Sequence, residues 1–265
     1  MTKRNRVAPE AEQKFRTLVD HMHQLRRECP WDREQTPESL RKYILEEAYE
    51  VIEMIDERNW EKLGEELGDL LLQVVFQSAI AEQENRFNIA DVIDHINHKL
   101  VTRHPHVFGD TEAATAGAVE YNWEQIKIEK ENRNELLGGI PKLAPALLRA
   151  QRIQEKASRA AFDWKDVGEV VEKLEEEVNE LKQAIDQKNQ KDMEEEIGDI
   201  LFSIVNISRF MDVSAEDALR ISNEKFIRRF RYIEKAFGND YEKMKQAGLK
   251  ELDKKWDEAK RNEGR

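Results

Sequence analysis

The sequence spells EELGDLL from Glu65 to Leu71 and nearly the same phrase, EEIGDIL, from Glu195 to Leu201. The surroundings repeat in register, because EEAYE at 46–50 recurs as EEVNE at 176–180 with the same offset of 130 residues. Farther along, NHKLVTR pairs with NEKFIRR and WEQIK pairs with WDEAK, at slightly different offsets. This pattern indicates a duplicated domain rather than a solenoid, whose repeats have a period of about 20–50 residues.

The stretch LLGGIPKLAP at 136–145 separates the two repeats. Its paired glycines and two prolines interrupt the helical pattern on either side. We therefore predict a first domain over residues 10–137, a linker over 138–145 and a second domain over 146–265.

Composition favours a water-soluble helical protein, since hydrophobic residues make up 39% of the 265 residues and charged residues 37%. The net charge of −12 argues against general nucleic-acid binding, which depends on surplus Lys and Arg to neutralise phosphates.

The single cysteine, Cys29, excludes an intrachain disulfide and an all-cysteine zinc site. No stretch approaches the ~20 apolar residues of a membrane helix, and the basic amino terminus is not followed by an apolar segment. We therefore expect a cytoplasmic protein that does not associate with membranes.

The periodicity of each repeat predicts an all-α fold. Thr36 is expected to cap a helix with Pro37 in its first turn, and the apolar positions between Ile44 and Ile55 predict one buried stripe. The next helix is apolar on nearly every side over 70–76, so we expect it inside the domain. Asn88 and Ser214 are predicted helix caps, and strand signals are nearly absent.

Carboxylates recur on these helices at a spacing that brings them together. Glu47 and Glu50 are three residues apart and share a helix face, as do Glu66 and Asp69 on the next helix. Each pair of like charges about 5 Å apart costs roughly 3 kcal/mol at an effective dielectric near 20, so the cluster either takes up protons or binds cations. The second repeat keeps the same set as Glu177, Glu180, Glu196 and Asp199. All-oxygen ligands select Mg²⁺ or Mn²⁺, whereas a single pair of this kind is usually only a solvated helix face.

These acids, together with CPWD, RHPHVFGD and WEQIK, closely resemble the MazG family of nucleoside triphosphate pyrophosphohydrolases along essentially the whole chain. The resemblance implies two tandem all-α domains of the dimeric dUTPase-like type, sites formed within helical dimers, Mg²⁺ dependence, and cleavage of NTP to NMP and pyrophosphate with broad base specificity. It assigns the metal to both acid sets and phosphate binding to basic residues of the later helices. The candidate catalytic acids are Glu176, Glu177 and Glu180. The candidate substrate-binding residues are Lys173, Lys225, Arg229, Trp256 and Lys260, with Lys99, Arg103, Trp123 and Lys127 as counterparts in the first repeat.

The chemistry of the residues agrees with this reading. Hydrolysis between the α- and β-phosphates needs cations on the phosphate oxygens and a positioned, deprotonated water. The carboxylates can hold the cation and supply the base, while Lys225 and Arg229, four apart on one helix, can neutralise the leaving pyrophosphate. Trp256 either stacks on a base or belongs to the core.

Two other classes of protein compete with this hypothesis. A di-iron bundle needs Glu-x-x-His pairs, and the second repeat contains no histidine. A non-catalytic scaffold or nucleotide sensor would leave the acids merely solvated. His104 and His106 match no zinc motif and receive no role.

The two repeats differ beside the acids, because Lys173 of the second repeat is replaced by Tyr43 in the first. A lysine one helical turn from the ligands can stabilise charge on a phosphate oxygen, which a tyrosine hydroxyl does less well. The bulkier RHPHVF segment is also confined to the first repeat. We therefore predict that the second repeat is the principal catalyst. The strongly apolar helices with short loops predict a homodimer.

Overall fold

The computed structural model describes residues 9–109 and 136–263. The chain divides into two compact units, Met1–Lys130 and Glu131–Arg265. All regular structure in the described ranges is helical and no strand occurs there, so the predicted all-α fold is confirmed. None of the helices described is long and apolar enough to span a membrane.

The first unit is built from six helices over residues 9–109. They are α1 (Pro9–Glu28), α2 (Pro30–Glu34), α3 (Arg41–Glu57), α4 (Trp60–Gln83), α5 (Ile89–Arg103) and α6 (Pro105–Phe108). Helix α4 packs against α1, α3 and α5. The core of the first unit is a cluster of buried side chains from α1, α4 and the turn before α3, namely Met22, Leu40, Val75, Phe76, Ala79 and Ile80.

The second unit contains five helices within 136–263. They are α7 (Ala146–Arg159), α8 (Val167–Gln187), α9 (Gln190–Phe210), α10 (Ala215–Ala236) and α11 (Tyr241–Glu263). Helix α9 packs against α7, α8 and α10, and α10 packs against α11. Val170 on α8 and Val205 on α9 are fully buried. Helix α11 is kinked at Gly248, whose φ of 71° is a backbone conformation that favours glycine.

The same turn joins the two acid-bearing helices of each unit. Arg58 and Lys188 both adopt a left-handed conformation with φ of 55°, and each is followed by an asparagine that caps the next helix. Asn59 accepts a hydrogen bond from the Lys62 amide, and Asn189 accepts one from the Lys191 amide. Because this turn is only two residues long, it holds the acid-bearing helices side by side in both units.

Two predicted helix caps are confirmed and one helix start is wrong. Asn88 forms a capping box with Asp91 at the start of α5, and Ser214 accepts from the Asp217 amide at the start of α10. Thr36 accepts from the Ser39 amide, but that contact closes a separate turn, and α3 begins at Arg41.

The predicted burial of α3 and α4 holds for one face of α4 only. On α3 most of the expected stripe is exposed, with Leu45 60% and Ile55 49% accessible, and Ala48 and Val51 are half-buried. Met54 is the fully buried apolar residue of this helix instead. On α4, Val75 and Phe76 are buried, whereas Leu71 and Val74 are exposed. The stripe therefore faces away from the core of its own unit.

The segment predicted as a linker is anchored to the second unit. The ammonium group of Lys156 donates to the carbonyl oxygens of Leu136 at 3.3 Å and Gly138 at 2.6 Å. These contacts tie the chain ahead of α7 to that helix. The limits 10–137 and 146–265 stay a prediction.

Candidate functional site

The first unit gathers its predicted acids between α3 and α4. One carboxylate oxygen each from Glu47, Glu66 and Asp69 lies within 4.8 Å of the other two. Glu50 joins them through side-chain hydrogen bonds with Glu47 and Glu66. Carboxylates this close repel one another, so the arrangement is costly unless protons or a cation neutralise it.

The second unit repeats the arrangement between α8 and α9. Glu177, Glu196 and Asp199 again place carboxylate oxygens within 4.8 Å of one another, and Glu196 is hydrogen-bonded to Glu177. Glu180 lies close enough to raise the pKa of Glu196 by charge repulsion. Glu177 is the most enclosed of the set, with only 5% of its surface exposed.

Crowding of like charges shows in the titration of both clusters. Burial first, and then repulsion from neighbouring carboxylates, raises the pKa of Glu47 and of Glu66 above the ordinary value. Burial followed by the hydrogen bond with Glu177 raises the pKa of Glu196 as well. A set of oxygen donors that repel one another fits a hard divalent cation, which would offset the repulsion.

This crowding predicts how stability responds to pH and Mg²⁺. The folded protein binds these protons more tightly than the unfolded chain, so their contribution to stability is complete below the unfolded pKa near 4.5 and is lost as pH rises through the raised values. Mg²⁺ that relieves the repulsion should therefore raise Tm more at about pH 8 than at about pH 5. Thermal unfolding in MgCl₂ and in NaCl of equal ionic strength measures this difference. The same Tm increment at both pH values would contradict the cation site.

Lys173 lies beside the acids of the second unit, where the sequence places it. Its ammonium group is 2.8 Å from Glu177 Oε1 and 3.0 Å from Glu176 Oε1, and these contacts raise the pKa of Lys173 above its ordinary value. The ammonium group of Lys173 thus points toward the acid cluster and offsets part of its negative charge. Its counterpart, Tyr43, packs edge-on against Trp31 with ring centroids 6.3 Å apart.

The basic residues predicted to hold phosphate form a separate cluster on α10 and α11. The Arg229 side chain donates to Glu263 Oε2 at 2.7 Å and lies over the Trp256 ring at 5.6 Å. Trp256 in turn contacts Phe226 at a centroid distance of 5.0 Å, so it is half-buried among aromatic side chains. Lys260 pairs with Asp257 at 3.4 Å. In the described ranges, Arg229, Trp256 and Lys260 thus pair on these two helices rather than with the acids.

The remaining predicted residues lie farther along each unit. Lys225 is exposed on α10, and Lys99 is exposed on α5. Arg103 is half-buried at the end of α5. Trp123 and Lys127 lie outside the described residues. Substrate binding by all of these residues stays a prediction.

The structure adds a cavity that sequence reasoning missed. It occupies about 660 Å³ in the second unit and reaches Lys173, Glu177 and Asp199. The other lining residues are Leu137, Ile153, Gln154, Ala157, Ala161, Phe162, Asp163, Trp164, Val170, Phe202, Ser203, Asn206 and Arg209. One signal was present in the repeat, since Asn206 stands 130 positions after the core residue Phe76. The second unit thus has the polar residue Asn206 where the first unit has a core residue, and Asn206 lies in the wall of the cavity.

Comparison with known proteins agrees with the geometry. Residues 35–108 and 158–233 match the family described as the MazG nucleotide pyrophosphohydrolase domain. The chain is 48% identical over 250 residues to the Thermotoga maritima protein named nucleoside triphosphate pyrophosphohydrolase/pyrophosphatase MazG, which covers 93% of this chain and 95% of the relative. It is 41% identical over 254 residues to the Escherichia coli nucleoside triphosphate pyrophosphohydrolase, which covers 93% and 96% of the two chains.

Both acid clusters fall within the matched stretches, so the predicted resemblance is confirmed. The chain belongs to the enzyme family of MazG nucleotide pyrophosphohydrolases and carries the family's domain twice.

Proposed function

We propose that this protein is a cytoplasmic enzyme that uses Mg²⁺, or Mn²⁺ in its place, to hydrolyse nucleoside triphosphates to monophosphates and pyrophosphate. Broad base specificity and removal of aberrant nucleotides are part of the proposal. The observation that carries it is the acid cluster, formed twice with carboxylate oxygens within 4.8 Å. The names of the two relatives support the same reaction.

The acids would divide between holding the metal and moving a proton. Glu177, Glu180, Glu196 and Asp199 would hold the ion in the second unit, and the first-unit ligands would be Glu47, Glu50, Glu66 and Asp69. When bound, the metal supplies charge neutralisation on the phosphate oxygens and a more acidic water. A carboxylate among Glu176, Glu177 and Glu180 would accept the proton of the attacking water.

The bond broken is the one between the α-phosphorus and the oxygen that bridges to the β-phosphorus. The water oxygen attacks the α-phosphorus, and pyrophosphate leaves with the bridging oxygen. Lys225 and Arg229 would offset the charge on that leaving group, and Lys260 would assist from α11. Because Lys173 already pairs with Glu177 at 2.8 Å, a cation on the acids would release it toward a phosphate oxygen.

Product analysis tests the proposal directly. With ATP, GTP, CTP and UTP and millimolar Mg²⁺, the purified protein should release NMP and pyrophosphate, and excess EDTA should abolish the release because hard ions bind oxygen ligands modestly. Chromatography of nucleotides and an enzymatic pyrophosphate assay report both products. NDP with orthophosphate would refute the site of attack, and activity in excess EDTA would refute the metal. No pyrophosphate at any metal concentration would favour the non-catalytic nucleotide sensor or scaffold.

We also propose that the protein forms a homodimer through the exposed apolar faces of its acid-bearing helices. Leu45 and Ile55 on α3 and Leu71 on α4 are exposed within the single chain, as are Ile197 and Leu201 on α9. Burying such faces gains about 25 cal/mol per Å² of apolar surface. Light scattering at micromolar concentration should give twice the mass of the 31.2 kDa chain. A monomer at that concentration would contradict the proposal, and Leu45→Glu is expected to dissociate the dimer.

A further inference from the structure

The cavity of the second unit has room for more than the phosphates of a substrate. Its volume of about 660 Å³ lies within the range of ~300–1,000 Å³ typical of small-molecule sites. Glu177 and Asp199 line it, so a triphosphate held at the acids would have the rest of its molecule in or near this space. Phe162 and Trp164 add aromatic surface to its wall.

Gln154 on α7 lines this cavity, and its side-chain amide is held in one orientation. Its side chain is buried, at 5% exposure, and its Nε2 donates to the carbonyl oxygen of Phe202 at 2.8 Å. A carbonyl oxygen only accepts, so the amide cannot be turned the other way and Oε1 remains the free end. Among residues 9–109 and 136–263, this buried oxygen has no hydrogen-bond partner. Such an atom is costly unless a ligand or a water donates to it.

The side chain of Asn206, on the neighbouring helix α9, is also held in one orientation. Arg209 donates to Asn206 Oδ1 through Nε at 3.0 Å and Nη2 at 2.8 Å, and the guanidinium is itself anchored to Asp163. Since its oxygen is engaged twice, Asn206 has its Nδ2 protons to offer. The polar part of the cavity therefore combines an acceptor at Gln154 with a donor at Asn206.

We propose that this cavity binds the base and ribose of the nucleotide, and that Gln154 Oε1 accepts a hydrogen bond from an N–H group of the base. The proposal rests on the function proposed above. Adenine, guanine, cytosine and uracil each carry an N–H donor on the Watson–Crick edge. This contact favours a nucleotide over bare polyphosphate without choosing among the four bases.

At the corresponding place, the described part of the first unit offers much less space. The corresponding cavity, lined by Tyr43, Gln73 and Phe76 among others, measures about 140 Å³. Gln73 Oε1 is also buried without a partner in the described part of the chain, but the space suits water rather than a nucleoside. Two buried glutamines of the described chain thus have an unpartnered Oε1, and of these two it is Gln154 that lines a nucleoside-sized cavity.

The decisive experiment compares ATP with purine riboside triphosphate, which has the same ring shape but no N–H donor on its base. For the wild-type enzyme, KM for purine riboside triphosphate should be about tenfold higher than for ATP. In Gln154→Leu the KM for ATP should rise about tenfold, and the two substrates should become equal. Gln73→Leu should leave both KM values unchanged. Equal KM values for the wild type, or an unchanged ratio in Gln154→Leu, would overturn the proposal.

A second variant covers the case in which Gln154→Leu fails to fold. Ala157 lines the cavity, and Ala157→Phe should fill it and raise KM for both substrates together. Circular dichroism and Tm establish that each variant is folded. A folded Ala157→Phe enzyme with wild-type KM values would also overturn the proposal.

Binding without turnover separates this proposal from the catalytic one. Trp164 lines the cavity and is 41% exposed, so a non-hydrolysable ATP analogue with Mg²⁺ should change tryptophan fluorescence, and Trp164→Phe should remove that change. If this signal is present and no NTP is hydrolysed, the proposed function fails and the nucleoside site stands. If ATP is hydrolysed and the signal is absent, the nucleoside site fails and the proposed function stands.

Discussion

Replacing Glu180 by alanine is expected to lower kcat/KM for nucleoside triphosphates by about 10²–10³-fold, because in the proposed mechanism this carboxylate would help to position the cation on the phosphates. Glu50→Ala, the same change 130 residues earlier, should leave most of the activity. The second unit combines its acids with a cavity of about 660 Å³, whereas the cavity at the corresponding place in the first unit measures about 140 Å³. Lys173 beside Glu177 adds a cation that Tyr43 cannot supply.

The two variants serve as controls for each other, since each removes one carboxylate from the same place in a repeated cluster. Both are assayed on the same NTP panel, with folding checked by circular dichroism. If the Glu50 variant loses activity and the Glu180 variant keeps it, the first unit is the catalyst. Equal losses would mean that both units turn over, and the predicted asymmetry would be wrong.

The acid clusters were predictable from the sequence because their geometry is local. Two helices joined by a two-residue turn must bring i, i+3 pairs together, and the repeat supplied the same set twice. The caps at Asn88 and Ser214 were predictable for the same reason, since each depends on contacts within one turn.

The exposed stripe on α3 shows where periodicity stops being informative. A pattern of apolar residues identifies a helix face, but it does not say which surface covers that face. Leu45 and Ile55 have the spacing of core residues and are nevertheless exposed within the chain. The prediction that Thr36 starts a helix was wrong for a similar reason. The hydrogen bond by which a side-chain oxygen caps a helix also closes the turn ahead of α3.

The cavity could not be predicted because its wall is assembled from separate elements. Gln154 comes from α7, Trp164 from the loop that follows it and Asn206 from α9. No spacing rule connects these positions, and each alone looks like an ordinary polar or aromatic residue. Only packing of α9 against both α7 and α8 brings them to the acids.

The largest loss of stability is expected from Phe76→Ala, at about 3–5 kcal/mol in the free energy of unfolding. Phe76 is 3% exposed and belongs to the core cluster of the first unit. Its ring meets Trp31 at a centroid distance of 6.5 Å, and the Arg26 guanidinium lies 5.8 Å from its centroid. Alanine would leave a cavity between these groups that the surrounding helices cannot close without moving.

Urea denaturation followed by circular dichroism measures this loss, and Phe87→Ala provides the matched control. Phe87 belongs to the same unit but is exposed, so its removal should cost less than about 1 kcal/mol.

Because Phe76 lies in the first unit, Phe76→Ala should retain NTP hydrolysis at temperatures below its transition if the second unit is the catalyst. A loss below about 1 kcal/mol would show that the α1–α4 packing around Phe76 is not the core of that unit. Lost hydrolysis in the folded variant would instead tie the first unit to turnover, against the asymmetry inferred from Lys173 and the larger cavity.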